Sequence, residues 1–182
     1  MDWTDLPFTD SQQGTDAEIL CFALERVHKQ FAWKTGGLNA EQLRRQHPPS
    51  TMTLAGLIKH MASVEDAWTA KAHGRSPNLP WNTDDWDGGE YSDFHSALTD
   101  EPEELYALWY GVVKRSRAAW QEMIEHDGLD VTVTWSTSNG EPYIVSRRRL
   151  LVDLLEENLK HTGHADLLRE AVDGLKGNDP PW

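Results

Sequence analysis

The sequence contains a single cysteine, Cys21, among its 182 residues, so no disulfide can form within the chain. A lone reduced thiol agrees with a cytoplasmic protein. Cys21 lies in an apolar stretch that is predicted to be helical, whereas a catalytic thiolate needs an electropositive and partly exposed setting. We therefore interpret Cys21 as a structural residue and not as a nucleophile.

Long hydrophobic runs are also missing, and no segment approaches the roughly 18 consecutive apolar residues that would span a membrane. The acidic N-terminus lacks the basic and apolar regions of a secretory signal. Lysine and arginine number 17 against 30 aspartates and glutamates, and the resulting net charge of −13 repels phosphate backbones. The sequence thus predicts a globular protein that binds neither membranes nor nucleic acid. A homodimer is compatible with the sequence.

Four long segments repeat apolar residues at helical spacing, and together they predict an all-α protein built as a four-helix bundle. The segments span about residues 16–34, 53–73, 101–125 and 147–173. Residues 131–145 alternate in polarity around a Ser-Asn-Gly turn signal, which predicts a short β-hairpin before the last helix. We expect a single domain over residues 1–182, with an extended arm at 1–13 and an irregular tail at 175–182.

Residues 74–97 form a long connection rich in proline, glycine, aspartate and tryptophan, and connections of this length are often functional. The chain carries nine tryptophans. Trp81, Trp86 and Trp135 fall in or near predicted loops, where they are candidates for the wall of a ligand pocket. The alternative is that they fill gaps between helices.

Four polar side chains interrupt the apolar stripe of the fourth helix: Glu157, Asn158, His161 and His164. A buried polar group without a partner costs about 1–3 kcal/mol, so these residues are expected to share one. His161 and His164 are three positions apart, which places them side by side on a helix. A divalent metal is the simplest common partner, since imidazole suits zinc, nickel and iron. The alternative is a solvated face with two exposed histidines.

His60 is the histidine outside this helix that lies inside an apolar helical stripe, and we predict it as the third metal ligand. Metal sites in helical bundles draw their ligands from facing helices. His28, at the border of the core stripe of the first helix, is the weaker alternative. Three protein ligands leave one coordination position open for water or substrate, as in catalytic sites.

Two segments resemble the signature regions of the DinB-like superfamily: TLAGLIKHMASVEDAW and EENLKHTGHADLLREAVDG. The resemblance is greatest to a branch of uncharacterised bacterial proteins with L-x-x-H in the second helix and H-x-G-H-A-D-L-L-R-E in the fourth. It covers the chain from the first helix to Gly174. It implies an up-down-down-up bundle whose divalent metal site is formed by His60, His161 and His164.

The histidine spacing departs from the usual pattern of this superfamily. Its members commonly place the two ligands of the fourth helix four residues apart, and the residue four before His164 is Lys160, which cannot ligate while charged. Some relatives use a glutamate in the triad. Glu157, one turn before His161, is therefore a substitute ligand or a supporting partner.

The resemblance also implies a chemistry, because characterised relatives include mycothiol-dependent isomerases and thiol S-transferases. The leading hypothesis is a metal-dependent S-transferase that activates a low-molecular-weight thiol toward a small electrophile by lowering the pKa of the thiol. An acidic thiol would need nearby positive charge, for which Arg147–Arg149 and Lys160 are candidates. The alternatives are a metal-dependent hydrolase, with Glu157 or Glu65 as the base, and a non-enzymatic metal-binding or stress-response bundle.

Overall fold

The computed structural model describes residues 2–78, 80–82, 92–136, 139–177 and 179–181. In chain order the elements are a 3-10 helix (Trp3–Asp5), α1 (Asp16–Thr35), α2 (Ala40–Leu43), α3 (Leu54–His73), α4 (Ser92–Ser96), α5 (Pro102–His126), β1 (Thr132–Ser136), β2 (Pro142–Ser146) and α6 (Arg147–Asp173). The prediction of an all-α fold with a short hairpin is confirmed. Within the described ranges, no helix is long and apolar enough to cross a membrane.

The four long helices pack with α1 against α6, α6 against α3, and α3 against α5. Two contacts show that α1 and α6 run parallel: Asp16 with Arg148, and Lys34 with Asp166. Two more show that α3 and α5 run parallel: Lys59 with Asp100, and Thr69 with Ser116. A third pair shows that α3 and α6 are antiparallel: His60 with His161, and Ala72 with Arg147. The topology is the up-down-down-up bundle that the sequence predicts.

Polar caps determine where the long helices begin and end. The hydroxyl of Thr15 accepts a hydrogen bond from the backbone N–H of Glu18, whose carboxylate accepts one from the N–H of Thr15, so α1 begins with a capping box. The side chains of Thr53 and Ser146 cap the starts of α3 and α6. Helix α6 ends at Gly174, where φ is 83°, a left-handed backbone that glycine adopts readily.

A buried polar layer crosses the bundle between two apolar clusters. At its centre the carboxylate of Glu65 on α3 lies 3.0 Å from Nε2 of His28, 2.6 Å from Oγ of Ser116 and 3.3 Å from Nδ2 of Asn158. Burial acts to raise the pKa of Glu65, but the charge of His28 and these hydrogen bonds outweigh it and lower the pKa. Each of the four long helices contributes one residue to this layer, so the layer sets their relative heights.

The hairpin packs at the end of α3 that is distant from His60. Its strands pair antiparallel from Thr132 opposite Ser146 to Ser136 opposite Pro142. The ammonium group of Lys71 lies 5.3 Å from the ring centroid of Trp135 in β1, and Lys71 is about three turns of α3 away from His60.

Helix α4 is an element that the sequence analysis does not predict. It spans Ser92–Ser96, inside the stretch expected to be an irregular connection, and it packs against α3. Five residues are too few to show a helical period, and therefore the pattern gave no signal for it.

Candidate metal centre

His60 on α3 and two side chains of α6, Glu157 and His161, converge in the space between these helices. One donor atom from each lies within 4.8 Å of the other two. The ring centroids of His60 and His161 are 4.7 Å apart, and Nε2 of His161 lies 3.3 Å from Oε2 of Glu157. Among the described residues, these three form the group of histidine, cysteine and acidic side chains whose spacing would suit a metal ion.

The electrostatic setting favours the protonation states that bind metals. Burial, together with the charges of His60 and Lys160, lowers the pKa of His161 to about 4, so the ring is neutral near pH 7. Burial acts to raise the pKa of Glu157, but the hydrogen bond and the charge of Lys160 outweigh it and lower the pKa. A neutral imidazole and an ionised carboxylate are the forms in which these side chains ligate a metal.

His164 reaches this group through His161. The two Nδ1 atoms lie 3.3 Å apart, and the ring centroids are separated by 5.2 Å. If Nε2 of His161 ligates a metal together with Glu157, the hydrogen of the neutral ring is on Nδ1, and this N–H is then the group that donates to His164. A ligating histidine commonly donates its second ring N–H to a neighbour that fixes its tautomer and orientation. The predicted role of His164 as a ligand itself stays a prediction.

Two residues of α4 also contact the group, and sequence reasoning missed both. Oδ2 of Asp93 lies 3.2 Å from Nδ1 of His60. The ring of Phe94 stacks on that of His60, with the centroids 5.0 Å apart and the planes inclined by 30°. These residues occupy a connection in which no sequence period marks the side chains that turn inward.

A cavity of about 750 Å³ opens beside His60 and His161, within the size range of small-molecule sites. Four uncharged polar residues line it: Gln46, Ser50, Thr51 and Thr53. Its apolar lining consists of Pro49, Met52, Phe94 and Leu98. Asp93 and His95 complete the wall, and the part of the chain that the structure describes contributes neither lysine nor arginine to it.

The basic residues expected to receive an acidic thiol are engaged in ion pairs. At the start of α6 the pairs are Arg147 with Asp127, Arg148 with Asp16 and Asp130, and Arg149 with Asp153. Lys160 pairs with Glu157 on the α6 surface. None of these cations lines the cavity as the structure describes it, so the positive cleft predicted for them is not formed by these residues.

Trp81, Trp135, the alternative ligand His28 and the alternative base Glu65 are not among the described residues that line this cavity. Trp81 packs against the apolar cluster of α3 and α5, and Trp135 contacts Tyr143 within the hairpin. Trp86 lies outside the described residues. His28, the alternative ligand, and Glu65, the alternative base, are bound to each other in the polar layer.

A family model described as mycothiol S-transferase matches residues 20–174. The chain belongs to the mycothiol S-transferase family. That family is part of the DinB-like superfamily, so the resemblance seen in the sequence is confirmed.

The structural comparison supports the fold of this mycothiol S-transferase family member. A conserved protein from Enterococcus faecalis is similar, with a TM-score of 0.64 and 17% identity over 90% of this chain and 100% of that one. At this identity the likeness shows the fold alone. Comparison with curated proteins finds no match. Family membership implies a small-molecule substrate.

Proposed function

We propose that this member of the mycothiol S-transferase family is a metal-dependent enzyme that transfers a low-molecular-weight thiol to a small electrophile. The observation that carries the proposal is the donor set of His60, Glu157 and His161 beside a cavity of about 750 Å³. The family match supports the thiol chemistry. The donor set supports a metal as the group that activates the thiol.

The donor set suits a divalent cation such as zinc, nickel or iron. Tetrahedral nitrogen and oxygen ligands at about 2.0–2.1 Å from an ion lie about 3.4 Å from one another. Nε2 of His161 and Oε2 of Glu157, at 3.3 Å, meet this separation without movement. When bound, the metal supplies Lewis acidity that lowers the pKa of a coordinating thiol.

The protein's own residues would hold and orient the reactants. His60 and His161 approach from antiparallel helices, and Glu157 supplies the negative charge that offsets a cation. In the transfer, the thiol loses its proton to solvent, its sulfur forms a bond to the electrophilic carbon, and the leaving group departs with the electron pair of the broken bond. The cavity opens to one side of the donors and is the route for both substrates.

The cavity lining favours an uncharged, hydroxyl-bearing thiol over an anionic one. Its hydroxyl and amide side chains, among them Gln46 and Ser50, can exchange hydrogen bonds with sugar-like hydroxyl groups. Among the described lining residues the carboxylate is that of Asp93, and it would repel a carboxylate on the ligand. A thiol of the mycothiol type therefore fits this lining better than an acidic thiol, which would need basic residues to bind it.

The test is a transfer assay with the purified protein. Mycothiol or glutathione is incubated with monobromobimane and protein that is loaded with zinc, nickel or iron(II), and the conjugate is quantified by mass spectrometry above the uncatalysed rate. We expect metal-dependent conjugation with mycothiol, weak conjugation with glutathione, and loss of both in His60→Ala. Equal activity after metal removal would contradict the proposal. Thiol-independent ester hydrolysis by the loaded protein would favour the hydrolase alternative.

A further inference from the structure

We propose that Asp93 is a positioning residue that holds the His60 ring in the tautomer and orientation required for metal binding. The inference rests on the proposed function in that it takes His60 as a ligand. It concerns a residue outside the donor set, on a short helix that follows the long connection. The contact between Asp93 and His60 joins this helix to the metal centre.

The hydrogen bond to Asp93 gives the two ring nitrogens of His60 different roles. An ionised carboxylate can only accept hydrogen bonds, so Nδ1 of His60, 3.2 Å from Oδ2 of Asp93, carries the hydrogen that is donated. The lone pair of the neutral ring is then on Nε2. A carboxylate in this position fixes the ring and raises its basicity as a ligand. Asp93 thereby makes Nε2 the donor atom.

The setting of Asp93 argues against a casual surface contact. Its side chain is 15% exposed and that of His60 is 24% exposed, so most of each side chain is buried. The second oxygen, Oδ1, is buried and has no hydrogen-bond partner among the described residues. Burial of a carboxylate costs free energy unless the carboxylate is hydrogen-bonded, and His60 is the residue that bonds to Asp93.

The backbone of α3 is adapted to bring α4 this close. A Cβ atom added at Gly56, one turn before His60, would lie 2.6 Å from Cδ1 and 3.2 Å from Cα of Phe94. The absence of a side chain at Gly56 therefore lets Phe94 pack on α3 and stack on the His60 ring. Asp93, its neighbour in sequence, is placed on Nδ1 by the same packing.

The experiment compares Asp93→Ala and Asp93→Asn with the wild type, and uses Asp100→Ala as the matched control. Asp100 also reaches from the α4–α5 connection to a side chain of α3, since its Oδ2 lies 2.6 Å from Nζ of Lys59. Zinc affinity is measured by competition with a chromophoric chelator. The tautomer of His60 is measured in the metal-free protein from its ring ¹⁵N chemical shifts, assigned with His60→Gln, at a pH where the ring is neutral.

We expect Asp93→Ala to lose about 10–100-fold in zinc affinity and to shift the proton from Nδ1 toward Nε2. Asp93→Asn keeps an acceptor oxygen, so it should recover most of both readouts, and Asp100→Ala should change neither. An unchanged affinity in Asp93→Ala, or a wild-type ring protonated at Nε2, would overturn the inference. A wild-type protein that binds no divalent metal would refute the proposed function, while the tautomer comparison still decides whether Asp93 orients His60.

Discussion

The protonation of His161 makes the stability of the metal-free protein depend on pH. Burial lowers the pKa of His161 from 6.5 to about 4 in the folded state. Below pH 6.5 the unfolded chain therefore takes up a proton that the folded chain does not, until the pH approaches 4. The free energy of unfolding should fall as the pH drops through this window, by up to about 1.4 kcal/mol per pH unit for one proton.

Urea unfolding of the chelator-treated protein at several pH values between 7 and 5 measures this dependence. His161→Asn removes the titrating ring, so its unfolding free energy should fall less steeply with decreasing pH. Identical slopes for the wild type and the variant would show that His161 does not titrate as the structure indicates.

Cys21 is expected to take no part in thiol chemistry. Burial, together with the negative charge of Glu25, raises the pKa of its thiol to about 11. The thiolate is the reactive form, so alkylation of the native protein by iodoacetamide near neutral pH should be far slower than that of the urea-unfolded chain. Cys21→Ala should conjugate mycothiol at the wild-type rate. A loss of conjugation in this variant, with its fold retained, would point to a protein thiol in the reaction.

The packing of α4 on α3 is an element-scale feature that one methyl group can test. In Gly56→Ala the new Cβ meets both the ring and the Cα of Phe94, so α4 must move away from α3. We expect a lower melting temperature and weaker zinc binding, because the contacts of α4 with His60 are lost.

Gly111→Ala is the matched control, since its nearest neighbour is the end of the flexible Arg115 side chain at 3.4 Å. Alanine stabilises a helix interior by about 1 kcal/mol relative to glycine, so this variant should be at least as stable as the wild type. If Gly56→Ala behaved in the same way, α4 would not be held closely enough to position a ligand.

The sequence predicts the long helices well, and physical reasons explain where it fails. Apolar stripes over 20 or more residues mark α1, α3, α5 and α6, and cap residues such as Thr15 and Ser146 mark their starts. Helix α4 is too short to show a period, and its contacts with His60 depend on a glycine that looks ordinary in the sequence. Tertiary packing decides such elements.

The candidate ligands are only partly predictable for a related reason. His60, Glu157, His161 and His164 all fall on faces that turn toward the bundle. Glu157 and His164 are seven residues apart, which places them on nearly the same side of α6 but about two turns from each other, so the height of α6 relative to α3 decides which of them approaches His60. The structure brings Glu157 into the group with His60 and His161, and it places His164 against the outer nitrogen of His161.

At the scale of the whole molecule, the buried polar layer sets the height of each helix and thereby the metal centre. Asn158 reaches Glu65 in the core, while its neighbour Glu157 turns toward His60. The polar residues predicted to interrupt the apolar stripe of the fourth helix therefore have two roles. Asn158 belongs to the buried hydrogen-bond network, and Glu157 belongs to the donor set. Two expectations from the sequence stay predictions: that the protein has no nucleic-acid partner, and that it can form a homodimer.

A metal bound to these donors would join two antiparallel helices, α3 through His60 and α6 through Glu157 and His161. The most direct test of the account is the zinc dissociation constant of the wild type and of single variants. His60→Ala, Glu157→Gln and His161→Ala should each lose the site, whereas His164→Ala should weaken binding by about 10–100-fold. His126→Ala, at the exposed end of α5, is the control and should bind as the wild type does. Wild-type affinity in Glu157→Gln together with lost binding in His164→Ala would contradict the donor set described above.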